Sequence, residues 1–315
     1  MSTITKSFKK SALDRKMDRI RDLEEAGKLG TKLTNRTLRK LMSNKIAVFG
    51  AVMFVIICGL CFAAPLFTKY SPTTIDLKSR MAQPGSEHLF GADQMGRDIW
   101  ARMLYGGRIS IIVGLGSALG AAVIGVSLGM FVGYKGGWLD SIILKISDVF
   151  LAFPQMVLII IIVALVGQNL QNMILIFILT GWPSMYRMAR SKVLSLKEEE
   201  FVQALRAFGI SDVKIAFKHM LPNTVGPIVV NITLSTAMFI LQEASLSVLG
   251  YGVPQEIATW GNIINVITNA GVIRYDWLGY WWMWLPCAVM LILFVLAINF
   301  IGDGLRDASD PTQIG

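Results

Sequence analysis

The chain has 315 residues, 54% of them hydrophobic and only 16% charged, where a soluble domain carries about a quarter charged residues. Several apolar runs of about 20 residues, each long enough to cross a bilayer, exclude a soluble globular protein and predict an all-α polytopic membrane protein. The net charge of +9 argues little for nucleic acid. Much of it lies between Lys6 and Lys45, ahead of any apolar run, as the positive-inside rule expects of a cytoplasmic tail.

Residues 1–45 are that basic tail. Leu13, Met17, Ile20 and Leu23 recur at helical spacing over 12–26, so this segment is either an amphipathic helix on the membrane surface or a solvated tail. The first apolar run, 46–67, starts too late and runs too long for a cleavable signal peptide. It is expected to be the first of six spans. Cys58-Gly-Leu-Cys61 within it has the C-x-x-C spacing but no βαβ context, and reads as a pair of small packing residues.

A polar segment, 68–107, follows, with Pro72, Pro84 and Gly85 marking turns. It holds the run from His88 to Asp98, HLFGADQMGRD. Gly91 and Gly96 permit tight turns, and Arg97 between Asp93 and Asp98 can pair with carboxylates. A folded external loop is the economical reading; a metal site from His88, Asp93 and Asp98 is the alternative. The second span, 109–133, is striped by Gly116/Gly120 and Gly125/Gly129/Gly133, spaced by four, which predicts close helix contact. The partner helix could belong to this chain or another. No P-loop or G-x-G-x-x-G accompanies these glycines.

A third span is expected over 142–166, with Asp148 one turn from Lys145, and a fourth over 170–186. Between the fourth and the fifth, 225–246, lies a polar helical island, 195–223. Phe201, Ala204, Leu205 and Phe208 fall on one helix face. Ser195 and Glu198 have capping-box spacing, and Gly209 reads as the stop. A second short helix repeats the pattern at Val213, Ala216, Phe217 and Met220 until Pro222. Such a pair of helices between spans predicts a docking element. Glu243 in the fifth span is an intramembrane carboxylate, a functional candidate or a structural hydrogen-bonding group. The sixth span, 280–301, follows Trp277, Tyr280, Trp281, Trp282 and Trp284, which read as an interfacial aromatic belt.

With the N-terminus inside, only Lys69, Lys78, Arg80, Arg97, Arg102, Arg108 and Arg274 of the 30 Lys and Arg residues fall outside, which supports that orientation and puts the island in the cytosol. No catalytic constellation is visible, neither Walker A, G-x-S-x-G nor H-E-x-x-H. Nucleotide chemistry would need another polypeptide.

The island's Ala204, Gly209, Leu221 and Pro222 resemble the E-A-A-x3-G-x9-I-x-L-P loop of importer-type ABC permeases, with Gln203, Leu205 and His219 departing from it. Residues 88–98 resemble the H-x-x-G-T-D-x-x-G-R-D of the dipeptide/oligopeptide/nickel permease "C" subunits. Glu243 to Gly250 resembles their E-A-x-L-S-F-L-G, and Gly302 to Asp307 with Asp310-Pro311 their G-D-G-L-R-D…D-P. The resemblance covers about residues 40–312 and implies a type I ABC importer fold with cytoplasmic termini. It divides the chain into tail 1–45, span 46–67, external loop 68–107, core 108–303 with coupling helices 195–222, and tail 304–315.

It further implies a multi-pass subunit of a bacterial or archaeal cytoplasmic membrane. Its expected partners are a homologous second permease, two cytoplasmic ATPases that bind ATP and Mg, an extracytoplasmic solute-binding protein, and a peptide cargo. The chain itself is expected to hold no cofactor or metal and to catalyse nothing. By this resemblance Ala204, Gly209, Leu221 and Pro222 belong to the ATPase-coupling element. Phe201, Leu205 and Phe208 are assigned to its contact or packing face from periodicity. His88, Gly91, Asp93, Gly96, Arg97 and Asp98 would be structural or face the binding protein. A nickel-chelate cargo is the alternative within the family. From other classes, an ATPase-independent channel or secondary transporter leaves the docking helices unexplained. A helix-turn-helix regulator lacks a dense basic face.

Overall fold

A computed structural model describes residues 40–269 and 276–309. The helical pattern at 12–26, Arg274 and Asp310-Pro311 lie outside these residues. The described residues are mostly helical, and their single ladder-like contact is an isolated bridge between Ala92 and Asp98.

Helix α1, Lys45–Phe62, starts where the Asn44 side chain accepts the N–H groups of Ile46 and Ala47, a side-chain N-cap. Helix α2, Ile99–Lys135, is 37 residues long, about 55 Å at 1.5 Å per residue. It begins ten residues before the expected span, because Asp98 caps it by accepting the Ala101 N–H at 2.7 Å. Its glycines then fit the helices around it. A Cβ on Gly125 would stand 2.5 Å from Trp182 O, and one on Gly129 2.7 Å from Tyr186 O. The stripe's partner is therefore α5, Leu170–Lys197, of the same chain. Gly116 by contrast has nothing within 4 Å of its Cβ position.

The expected third span is broken. Helices α3, Gly137–Ala152, and α4, Gln155–Val166, meet at 92°. Pro154 holds Phe153 in extended backbone, φ −91° and ψ 142°, since the residue before a proline is kept out of the helical region. Asp148 pairs with Arg187 of α5 rather than with Lys145. Asp140 at the start of α3 takes a fork from Arg190, at 2.7 and 2.5 Å, and the Tyr186 hydroxyl at 3.0 Å.

After the short helix α6, Glu200–Ala207, one continuous helical stretch runs from Asp212 to Val248. Its regular part is α7, Leu221–Val248. Short helix α8, Trp260–Ile264, precedes α9, Leu285–Ser309. Tyr280 does not start the last span: Trp281–Met283 form a 3-10 turn first. Helix α1 lies along α9, where Ala47 sits where a Gly304 Cβ would be, and α7 bridges α2 and α9. By length and composition four described helices can cross a membrane, or five with the bent pair. Helix α5 is long enough at 28 residues, but Gln171, Asn172, Pro183 and Arg187 dilute its apolar character.

Candidate functional site

Three groups of the expected residues occupy three places. The first is the island. Ser195 lies inside α5, not at a helix start, because Val193 and Leu196 join the apolar cluster that anchors the island. The island's own helix, α6, begins five residues later, behind Glu199 in extended backbone. Val202 is fully buried and Leu205 half-buried against Met130, Val193, Ile215 and Met220. Phe201, Ala204 and Phe208 face outward, Phe201 at 41% and Phe208 at 83% exposure. The periodic face thus splits: Leu205 packs, the other three are free for contact.

Tyr134, at the end of α2, ties α6 down. Arg206 Nε donates to its hydroxyl at 2.9 Å, and the Arg206 and Lys197 cations lie over its ring. Gly209 has φ +72°, a left-handed value that glycine takes without strain. Pro222 does not end the second helix. Its ring would crowd the carbonyl four residues back in a regular helix. The six residues Ile215–Met220, one residue short of it, are wound as a π-helix instead, a widened turn often found at functional sites. Leu221 is half-buried against the same cluster as Ile215 and Met220.

The second group is the 88–98 loop at the opposite end of α2. Asp93 Oδ1 accepts the N–H groups of Met95 and Arg97, and its Oδ2 faces Arg97 Nε at 2.7 Å and Arg102 Nε at 3.7 Å. His88 Nδ1 lies 2.9 Å from Asp98 Oδ2. All five side chains are buried. Arginines, not a metal geometry, surround Asp93, so the group reads as an internal clamp. Gly91 and Gly96 have φ of +73° and +74°. Beneath Gly96 lies the carbonyl of Asp76, whose own carboxyl is held below its usual range by hydrogen bonds from Ser79 Oγ and Lys78 N. Trp282 packs under Gly91 and is buried, whereas Trp277 and Trp281 are exposed. The aromatic belt is therefore partly the floor of this loop.

The third place is Glu243 of α7, fully buried. Ser247 Oγ donates to its Oε1 at 2.9 Å and Ser110 Oγ to its Oε2 at 3.4 Å; the Thr259 hydroxyl also bonds it. Ser110 and Thr259 in turn accept the N–H groups of Trp260 and Asn262. The carboxyl is the centre of a hydroxyl network joining α2, α7 and α8. Sequence reasoning missed Val202, and it missed Tyr134 and the Asp140–Arg190 pair, whose partners lie 46 or more residues away and leave no local pattern.

Two family models match the chain. One, described as a binding-protein-dependent transport system inner membrane component, covers residues 125–314. The other, the N-terminal TM domain of oligopeptide transport permease C, covers residues 32–84. The chain is 38% identical to the dipeptide transport system permease protein DppC of Alkalihalophilus pseudofirmus, over 87% of this chain and 88% of that protein. It is 35% identical to the oligopeptide transport system permease protein OppC of Bacillus subtilis, over 92% and 93%. A putative peptide permease protein of Brucella ovis is 36% identical over 93% and 96%. In fold the chain is similar to a chain of the MetNI methionine ABC transporter in an inward-facing conformation. The TM-score is 0.51 at 20% identity, over 66% of this chain and 96% of that one.

Proposed function

The chain belongs to the binding-protein-dependent inner membrane components, among the peptide permease C subunits, and from that premise we propose that it forms one membrane half of an ATP-driven peptide importer. A homologous second permease completes the pathway. Two cytosolic ATPases supply the energy, and an extracytoplasmic binding protein delivers the peptide to the end of α2 that carries the 88–98 loop.

The observation that carries this reading is the split face of α6. Phe201, Ala204 and Phe208 stand clear of the chain's own core, while Val202, Leu205 and the Arg206–Tyr134 bond fix the helix to α2. An exposed apolar face on a short, rigidly anchored helix suits a groove on a partner that moves. Closure of the ATPases then shifts α6, α2 and the π-wound entry to α7 as packed bodies, the usual way such rearrangements are transmitted. Peptide is the cargo that the curated relatives' names favour. Reconstitution of the chain with its second permease, ATPases and binding protein tests this. ATP-dependent uptake of labelled dipeptides or longer peptides is expected, and uptake of nickel chelates in their place would reassign the cargo.

A further inference from the structure

Helix α3 is attached to the rest of the chain unlike its neighbours. Of its 16 residues only Asp140 and Ser147 are buried, and neither is apolar. Trp138, Ile142, Ile146, Val149 and Leu151 are exposed. Among the described residues, α3 adds no side chain to the apolar clusters that join α2, α4, α5 and α7. Helix α4, past the elbow, is seated in one of them by Ile159 and Val163, both buried. Close side-chain packing is what holds helices together in a membrane, and it fixes both flanks of α3 while leaving α3 out.

Two ion pairs join α3 to α5 instead, with Phe150 set edge-on to Trp182. Near the start of α3, Asp140 receives the Arg190 fork and the Tyr186 hydroxyl. Further along, Asp148 pairs with Arg187. The two pairs differ in strength. The Asp140 and Arg190 side chains are exposed at only 11% and 24%, and losing one partner of so shielded a pair is costly. Those of Asp148 and Arg187 are exposed at 52% and 46%, and an open pair contributes little. Ser147 Oγ, beside Asp148, is buried without a hydrogen-bond partner, which works against the seat that α3 occupies at that end.

Both ends of α3 can turn. Gly136 and Gly137, which join it to α2, have φ of +69° and +77°, with nothing within 4 Å of either Cβ position. Two consecutive glycines in open space let the backbone rotate without collision. At the other end Phe153 and Pro154 make the 92° elbow to α4. The shielded pair lies just past the glycine joint, the open pair near the elbow. Gly133 of α2 packs on Arg190, a Cβ there standing 3.1 Å from Arg190 Cγ, and the next residue, Tyr134, holds Arg206 of α6. Movement of α6 therefore arrives at the end of α3 that is held fast. We propose that α3 is a hinged strap, which pivots at Asp140 and detaches from α5 at the Asp148–Arg187 pair in each transport cycle. This rests on the reading of α6 as the coupling helix, and it carries the movement of α6 to the α3–α4 elbow. The open pair is the one that parts because little is lost there, while the buried fork keeps the pivot in place.

The test uses the complete reconstituted assembly and a labelled tripeptide. In the double variant Asp148→Cys/Arg187→Cys, a methanethiosulfonate cross-linker pins α3 to α5. Uptake is expected to fall at least about tenfold, as when a required conformational step is blocked, and to return when reductant cleaves the link. The wild-type chain, whose Cys61 and Cys287 are buried, is expected to be unaffected by the same treatment. Independently, spin labels at Val149→Cys and Leu194→Cys, both exposed positions, are expected to change separation by several ångströms between the nucleotide-free and the ATP-trapped assembly. Labels at Trp138→Cys and Leu194→Cys, nearer the pivot, are expected to change less. Uptake unaffected by the completed cross-link, a Val149–Leu194 separation that stays the same, or equal changes at both label pairs, with normal wild-type uptake, overturns the strap alone. A wild-type assembly that takes up no peptide overturns the import reading and the strap with it.

Discussion

At the scale of single residues, the 88–98 loop depends on positions that admit one kind of side chain. A Cβ on Gly96 would lie 1.7 Å from the Asp76 carbonyl, with φ at +74°. Gly96→Ala is therefore expected to lower the thermal midpoint of the purified protein by several degrees. Gly85→Ala, whose nearest neighbour would be 3.9 Å away, should leave it unchanged. Asp93 is the more severe case. It neutralises the buried Arg97 and faces Arg102, and removing one partner of a buried pair costs about 3–5 kcal/mol. Asp93→Asn should reduce the amount of folded protein recovered from membranes, read by monodisperse elution in detergent. Full recovery of this variant would remove the clamp assignment. Gly91, Asp93, Gly96, Arg97 and Asp98 were all visible as a motif. Their partners Asp76 and Trp282 were not, because a turn's sequence shows that a glycine is needed but not what lies beneath it.

At the scale of elements, the α2–α5 contact and the anchoring of α6 govern how movement would travel. Gly129→Ala pushes a methyl against Tyr186 O and Ala189 Cβ, both at 2.7 Å, whereas Gly116→Ala meets open space. The first is expected to lower the thermal midpoint and the second to leave it unchanged, measured side by side. Tyr134→Phe keeps the ring under Arg206 but deletes the hydroxyl that Arg206 Nε reaches. A hydrogen bond of this kind contributes about 1 kcal/mol net, so amide exchange in α6 should speed up about fivefold. Exchange at the wild-type rate would show that Tyr134 does not hold the helix. The glycine stripe was legible from spacing alone, since a four-residue repeat states a face. The elbow at Pro154 was not read, because long apolar runs on both sides mask one proline. The π-wound stretch before Pro222 was hidden for another reason. A proline in a pattern announces a break, and only the surrounding packing decides whether the helix stops or widens.

At the scale of the whole molecule, a loop and a bundle of apolar helices place one exposed helix, α6, at the end opposite the 88–98 clamp. The expected orientation rests on where the lysines and arginines fall, and the family on four ordered motifs; both are features of sequence. The division of Phe201, Ala204, Leu205 and Phe208 between contact and packing required the fold, since α2 covers one edge of that face and leaves the other. The central claim is that this free edge couples the chain to an ATPase. Ala204 is exposed, so Ala204→Arg disturbs no internal contact, and Gly209→Pro opposes a φ of +72° in the joint that follows α6. The decisive measurement is ATP-driven uptake of labelled peptide by assemblies carrying either variant, with membrane insertion checked in parallel. Normal insertion with loss of uptake is expected; normal insertion with unimpaired uptake in either variant would contradict the coupling role of α6.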